Sequence, residues 1–199
     1  MTRTLTSLYD IYADAESAVR DLNAAGISDD EISVVASQAA KTAHEGNESG
    51  PGASAGAAAG VIIGGGGGLL AGLGMLAIPG VGPVVAAGWL VATAVGAVGG
   101  AIVGGAGGGL IGAMVGNGIP EQDAHVYAEG VRRGGTLVTV RVNEAQAASA
   151  EAILRRHRAV EPGERRREYN ASGWTKFDES APAYTPAEYD RERRVRMVA

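Results

Sequence analysis

Every charged side chain of this 199-residue chain, 17 basic and 22 acidic, lies outside the stretch from Ser49 to Pro120. So long an uncharged run cannot make an ordinary solvated surface and calls for a dry environment. Within it glycine recurs at every fourth position, at Gly52, Gly56, Gly60, Gly64, Gly68 and Gly72. It recurs again at Gly88, Gly96, Gly100, Gly104, Gly108, Gly112 and Gly116, with Ala92 in the one gap. Between the two runs Ile78-Pro79-Gly80-Val81-Gly82-Pro83 reads as a turn that helices do not cross easily, with Pro79, Gly80, Gly82 and Pro83 as its formers.

In water a glycine inside a helix costs about 0.8–1 kcal/mol relative to alanine, so the first run alone would forfeit on the order of 8 kcal/mol. Inside a bilayer the same glycines let helix axes approach closely enough for dispersion and Cα–H···O contacts to hold them. The spacing therefore predicts a glycine-zipper helical hairpin over Ala53 to Ala77 and Val84 to Val115. Each arm exceeds the roughly 20 residues that cross a hydrocarbon core. Trp89, the one aromatic of this zone, is placed as an interfacial anchor. Because a four-residue step turns about 400°, the glycine ridge drifts about 40° per step, which favours several crossing helices, as a homo-oligomeric bundle or as a close hairpin with further neighbours. A soluble assembly packed around the same hairpins is the alternative reading of the pattern.

The flanking segments are polar, with net charges of −6 over residues 1–48 and +1 over residues 121–199. Thr2 to Tyr9 reads as a strand, Asp14 to Ala25 as a helix stopped by Gly26, and Ile32 to Ala36 as a short buried strand. Beyond the centre, Pro120 suits a first helical position, and Glu121 to Arg133 makes a helix ended by Gly134-Gly135. Thr136 to Val142 is the clearest strand, and Asn143 with Gln146 caps a helix running to about His157. A weaker strand is expected around Ala159 to Arg165. Neither half buries its apolar face alone, so they are expected to pair as one four-stranded sheet with helices on one face. The fold class is then α+β, a ferredoxin-like split βαβ domain interrupted by the long hairpin, which is read as transmembrane. The domain limits are 1–48 and 120–168 for the two halves, 49–119 for the hairpin and 169–199 for a tail. In that tail, Thr185 to Glu188 starts a helix; Trp174, Phe177, Tyr184 and Tyr189 can dock against the sheet or onto another subunit, and a loosely attached tail is the favoured expectation.

Several function classes drop out. With no cysteine there is no disulfide, thiol nucleophile or thiolate metal site. His44, His125 and His157 are scattered, so no metal site is assigned, and the Gly107 to Gly112 match to a dinucleotide fingerprint is explained by the four-residue period. No glycine run is followed by Lys-Ser or Lys-Thr, so no phosphate loop is present. Neither end is basic enough for nucleic acid to be the main partner. The arginines at positions 155, 156, 158 and 165–167 could touch anionic lipid headgroups, but their alternation with Glu161, Glu164 and Glu168 favours a solvated face. No catalytic residue, cofactor or small-molecule substrate is identified, and the expectation is not an enzyme.

Leu8 to Gly26, Ile32-Ser33-Val34-Val35, Gly118-Ile119-Pro120-Glu121 with Tyr127, and Gly134-Gly135-Thr136-Leu137-Val138 resemble the bacterial heat-induced general stress protein family, of the YflT-like N-terminal domain type. Gly173-Trp174 and the Tyr184 region resemble the tail of proteobacterial members. The resemblance implies stress association and carries over no catalytic residues. The expectation is a protein of the bacterial inner membrane, its hairpin in the lipid bilayer and both polar segments cytoplasmic, or else a cytoplasmic scaffold. Glycine-to-isoleucine changes at Gly60 or Gly104 should weaken assembly, and a change at Arg133, read as a surface residue, should not.

Overall fold

In the computed structural model, residues 2–38, 41, 74–96, 109–185, 187–189, 191, 192 and 194 are described. The architecture is α+β, with a five-stranded antiparallel sheet in the order β1-β5-β2-β4-β3. The strands are β1 (Thr2–Tyr9), β2 (Ile32–Ser37), β3 (Gly74–Ile78), β4 (Gly82–Gly88) and β5 (Thr136–Asn143). The α-helices are α1 (Tyr12–Ala24), α2 (Trp89–Gly96), α3 (Gly109–Gly116), α4 (Glu121–Arg132), α5 (Glu144–Arg156) and α6 (Pro162–Ala171). A 3-10 turn at Asp29–Glu31 leads into β2. Among the described residues no helix is long and apolar enough to cross a membrane.

The two polar halves meet through β5, whose β-branched residues suit a central strand. It pairs with β1 from Thr2 opposite Asn143 to Tyr9 opposite Thr136, and on its other side with β2 from Ile32 opposite Val140 to Ala36 opposite Thr136. Because side chains alternate across a strand, β5 feeds both layers. Val138, Val140 and Val142 point to one face, with Val34 of β2, and are covered by Ala15, Ala18, Val19 and Leu22 of α1 and Ala147, Ala150, Ile153 and Leu154 of α5. Each Val, Leu or Ile buried there contributes about 1.5–3 kcal/mol. Tyr9 is fully buried in this layer, where its hydroxyl donates to the Leu154 carbonyl at 2.9 Å. Burial pushes its ionisation well above the ordinary tyrosine range.

Leu137, Val35 and Leu8 point to the opposite face, which is also roofed. Leu90 of α2, Leu110 and Met114 of α3, and Ala124, Tyr127, Ala128 and Val131 of α4 pack there. The expectation of helices on one face is thus corrected: the alternating strands leave apolar residues on both sides, and part of the glycine-rich zone supplies the second cover.

Three further expectations change. The expected strand at 159–165 is reduced to one bridge, with the Val160 amide donating to the Leu8 carbonyl at 2.8 Å. Pro162 then sits in the first turn of α6, where its missing N–H costs nothing. The helical arm expected over Ala53 to Ala77 ends differently: its last four residues belong to β3, and 53–73 lie outside the described residues. The arm expected over Val84 to Val115 is not one helix either. Val84 to Gly88 continue β4, which pairs with β2 from Ser33 opposite Gly88 to Ser37 opposite Val84. A separate helix starts at Gly109, whose φ of 72° no L-residue adopts readily.

Candidate functional site: a hairpin latched by the tail

The turn expected at Pro79, Gly80, Gly82 and Pro83 is present, and it joins strands where helices were expected. Gly74 pairs with Ala86 and Ile78 with Gly82, and the Val81 amide closes the turn on the Ile78 carbonyl at 3.0 Å. Gly80 and Gly82 take φ values of 73° and 96°, the left-handed region that glycine reaches without strain. Pro83 lies on β4, opposite Ala77.

The C-terminal tail packs onto this turn. A Cβ on Gly80 would meet the Asp178 carbonyl at 2.7 Å and the Phe177 ring at 2.9 Å, and one on Gly82 would meet the Ala183 Cβ at 2.5 Å. Phe177 is buried beside Val81, in the same core that α2, α3 and α4 roof. The tail keeps its shape through Asp178, whose carboxylate accepts from the Ser180 amide at 2.8 Å and hydroxyl at 2.6 Å; those bonds hold the Asp178 carboxyl below the usual carboxylate range. Farther on, the Thr185 amide and hydroxyl each donate to Glu188 at 2.7 Å, the expected helix start.

A buried ionic and aromatic cluster fastens the tail to α4. Glu129 is fully buried and accepts from Arg133 Nε at 2.7 Å, with Arg132 at 3.6 Å. Arg133 also reaches Glu192 at 3.2 Å and lies over the Tyr169 ring at 4.3 Å, while Arg132 lies over Tyr184 at 5.0 Å. Burial opposes the charge of Arg133, and the bond and charge of Glu129 more than offset it, so its acidity is weaker than usual. Below, Arg165 makes a two-pronged bond to Asp10 at 2.8 and 2.6 Å, and Trp174 meets Tyr169 edge-on at 5.4 Å. Arg133 is therefore a latch residue and not a surface one. The described part of the tail is docked on its own chain, with Phe177 and Trp174 against the core and Tyr184 under Arg132.

The structure divides the glycines expected to pack helices. Gly88 is a strand residue with φ of 96°, and a Cβ there would overlap the Ile32 carbonyl; its place is set by the approach of β4 to β2. Gly96 ends α2, and Gly112 and Gly116 lie in α3, where a Cβ on Gly116 would meet nothing. Gly52, Gly56, Gly60, Gly64, Gly68, Gly72, Gly100, Gly104 and Gly108 lie outside the described residues. Trp89 is no lipid-facing anchor: only 9% exposed, it donates from Nε1 to the Glu31 carbonyl at 3.0 Å under the Arg141 guanidinium, which is 4.4 Å from its ring. A closer helix-to-sheet approach occurs where none was expected. A Cβ on Gly130 of α4 would overlap the Leu8 side chain, and one on Gly135 would meet the Gly130 carbonyl at 2.9 Å. The lone glycine on the apolar side of an amphipathic helix was the available signal.

His125, on α4, sits 3.8 Å from Glu121, and His157, after α5, sits 2.8 Å from Asp21. These two helices cover opposite faces of the sheet, so the histidines do not converge. Among the described residues no group of three or more His, Asp or Glu side chains is placed to hold a metal ion. Comparison with protein-family models, with curated proteins and with solved structures gives no match.

Proposed function

We propose that this chain is a non-catalytic, stress-associated structural protein that self-associates through its glycine-rich segments, with the α+β domain as a platform beside a dry homo-oligomeric core. Stress association rests on the resemblance to the general stress proteins. The platform reads as a ferredoxin-like split βαβ unit, since β5 lies between β1 and β2 and both α1 and α5 cover one face. A hairpin stands on the β2 side, and the single Val160 bridge stands where the fourth strand would be.

The observation that carries the assembly reading is connectivity. β2 and β3 belong to one sheet, so the 36 residues between Ser37 and Gly74 leave it and return to it. Two helical crossings of a bilayer take about 40 residues, and one crossing would put the two ends on opposite sides. The second glycine-rich segment, 12 residues between Gly96 and Gly109, is shorter still, and its flanking helices are committed to the sheet. Lys41, Glu45 and Glu48 lie in the first segment, so its uncharged part is the 25 residues from Ser49 to Leu73, which find their dry environment more readily among copies of themselves. The uncharged stretch from Ser49 to Pro120 keeps the lipid bilayer as the second reading, with the inner membrane as its place.

Cell fractionation in high salt followed by native mass measurement tests the proposal. The expected result is an oligomer in the supernatant that falls to smaller mass on Gly60→Ile or Gly104→Ile and holds its mass on Arg155→Ala, a side chain 75% exposed. Protein that sediments with membranes and resists the wash supports the bilayer, and a monomer under all conditions rejects both readings.

A further inference from the structure

The two edges of the sheet are treated differently. On β1 the Val160 amide closes onto Leu8, and Arg3 adds a charge, the usual protection against unwanted strand pairing. On β3 the tail meets the turn, at Gly80 and Gly82, and among the described residues no strand pairs with its outer side. Gly74, Met75 and Ala77 are exposed, Met75 at 72%. The strand Gly-Met-Leu-Ala-Ile has no charge, no proline and no bulge. Its outer row of backbone donors and acceptors can be satisfied by another strand.

We propose that this edge takes β3 of a second copy, antiparallel, about a two-fold axis through Leu76. That register sets Gly74 against Ile78 and Met75 against Ala77, so identical neutral edges meet with no opposed charges. A five-residue ladder buries far less than the about 1,000 Å² that a stable interface needs. The pairing therefore orients copies already gathered by the glycine-rich segments, and in this it rests on the self-association proposed above. Leu76 and Ile78 pack inward on the roofed face, so substitutions at Met75 and Ala77 leave the core intact.

The chain has no cysteine, which makes introduced thiols specific reporters. The test uses the full-length protein carrying Met75→Cys and Ala77→Cys, mildly oxidised and run without reductant. Across an antiparallel pair, Cα atoms about 4.5–5.5 Å apart fall within disulfide reach. A covalent dimer is expected from this variant and not from Arg3→Cys with Leu5→Cys on the other edge. A second variant, Met75→Lys with Ala77→Lys, should change the ordered assembly into a polydisperse one by light scattering. If the unmodified protein assembles but the edge thiols do not link and the lysines change nothing, the edge proposal falls and the glycine reading stands. If the thiols link while Gly60→Ile and Gly104→Ile leave the mass unchanged, the glycine reading falls and the edge stands. A protein that is monomeric throughout and never links overturns both.

Discussion

The polar halves and the glycine-rich zone obey different rules, and the difference shows what a spacing can specify. In the halves, apolar residues at helical or alternating intervals leave one answer: Ala15, Ala18, Val19 and Leu22 make one stripe of α1, and Val138, Val140 and Val142 make one side of β5. In the zone, a glycine at every fourth residue leaves two. A step of four brings a helix round to nearly the same side, and because four is even it also returns a strand to the same side. Gly88 and Gly116 share the repeat, yet one lies in a strand and the other in a helix.

The largest expected effect lies outside the repeat. Glu129→Ala removes the buried carboxylate that faces two arginines, 16% and 13% exposed, and the loss should be about 3–5 kcal/mol in a denaturant melt. A variant within 1 kcal/mol of the parent would show that the buried carboxylate contributes little to the cluster. Next comes Phe177→Ala, which empties the socket under the hairpin turn. A loss of about 3 kcal/mol is expected, together with faster proteolysis at Lys176. Unchanged cleavage there would sink the latch. Gly88→Ala should cost at least about 2 kcal/mol, because its φ of 96° and the facing Ile32 carbonyl both oppose a side chain. Gly116→Ala, in the same repeat, should be neutral or gain up to about 1 kcal/mol, since its Cβ would meet open space. Equal losses at Gly88 and Gly116 would restore a uniform helical repeat.

The parts of the fold legible in the sequence are those with local causes. Asn143 caps α5 as expected, its side chain accepting from the Gln146 amide at 3.0 Å, and Gly26 stops α1 with φ of 84°. The turn at Pro79 to Pro83 was legible as a turn, but what it joined was not. Val84 and Val85 become a strand because β2 offers them a partner, a long-range cause that no window around them contains. The latch was hidden for the same reason: Gly80 and Gly82 are shaped for Phe177 and Ala183, about 100 positions away along the chain. Nothing in the residues around Glu129 marks it as buried, which the fold makes it.

β5 has a temporal consequence. It stands between β1 and β2, so the neighbour both need is made only after roughly 100 further residues have been added. At a synthesis rate of about 5–20 residues per second, the first two strands wait on the order of 5–20 s with open sides. During that wait the uncharged stretch leaves the ribosome, before the sheet that will flank it exists. A nascent chain in that condition is most exposed to wrong pairing when heat or crowding slows its completion.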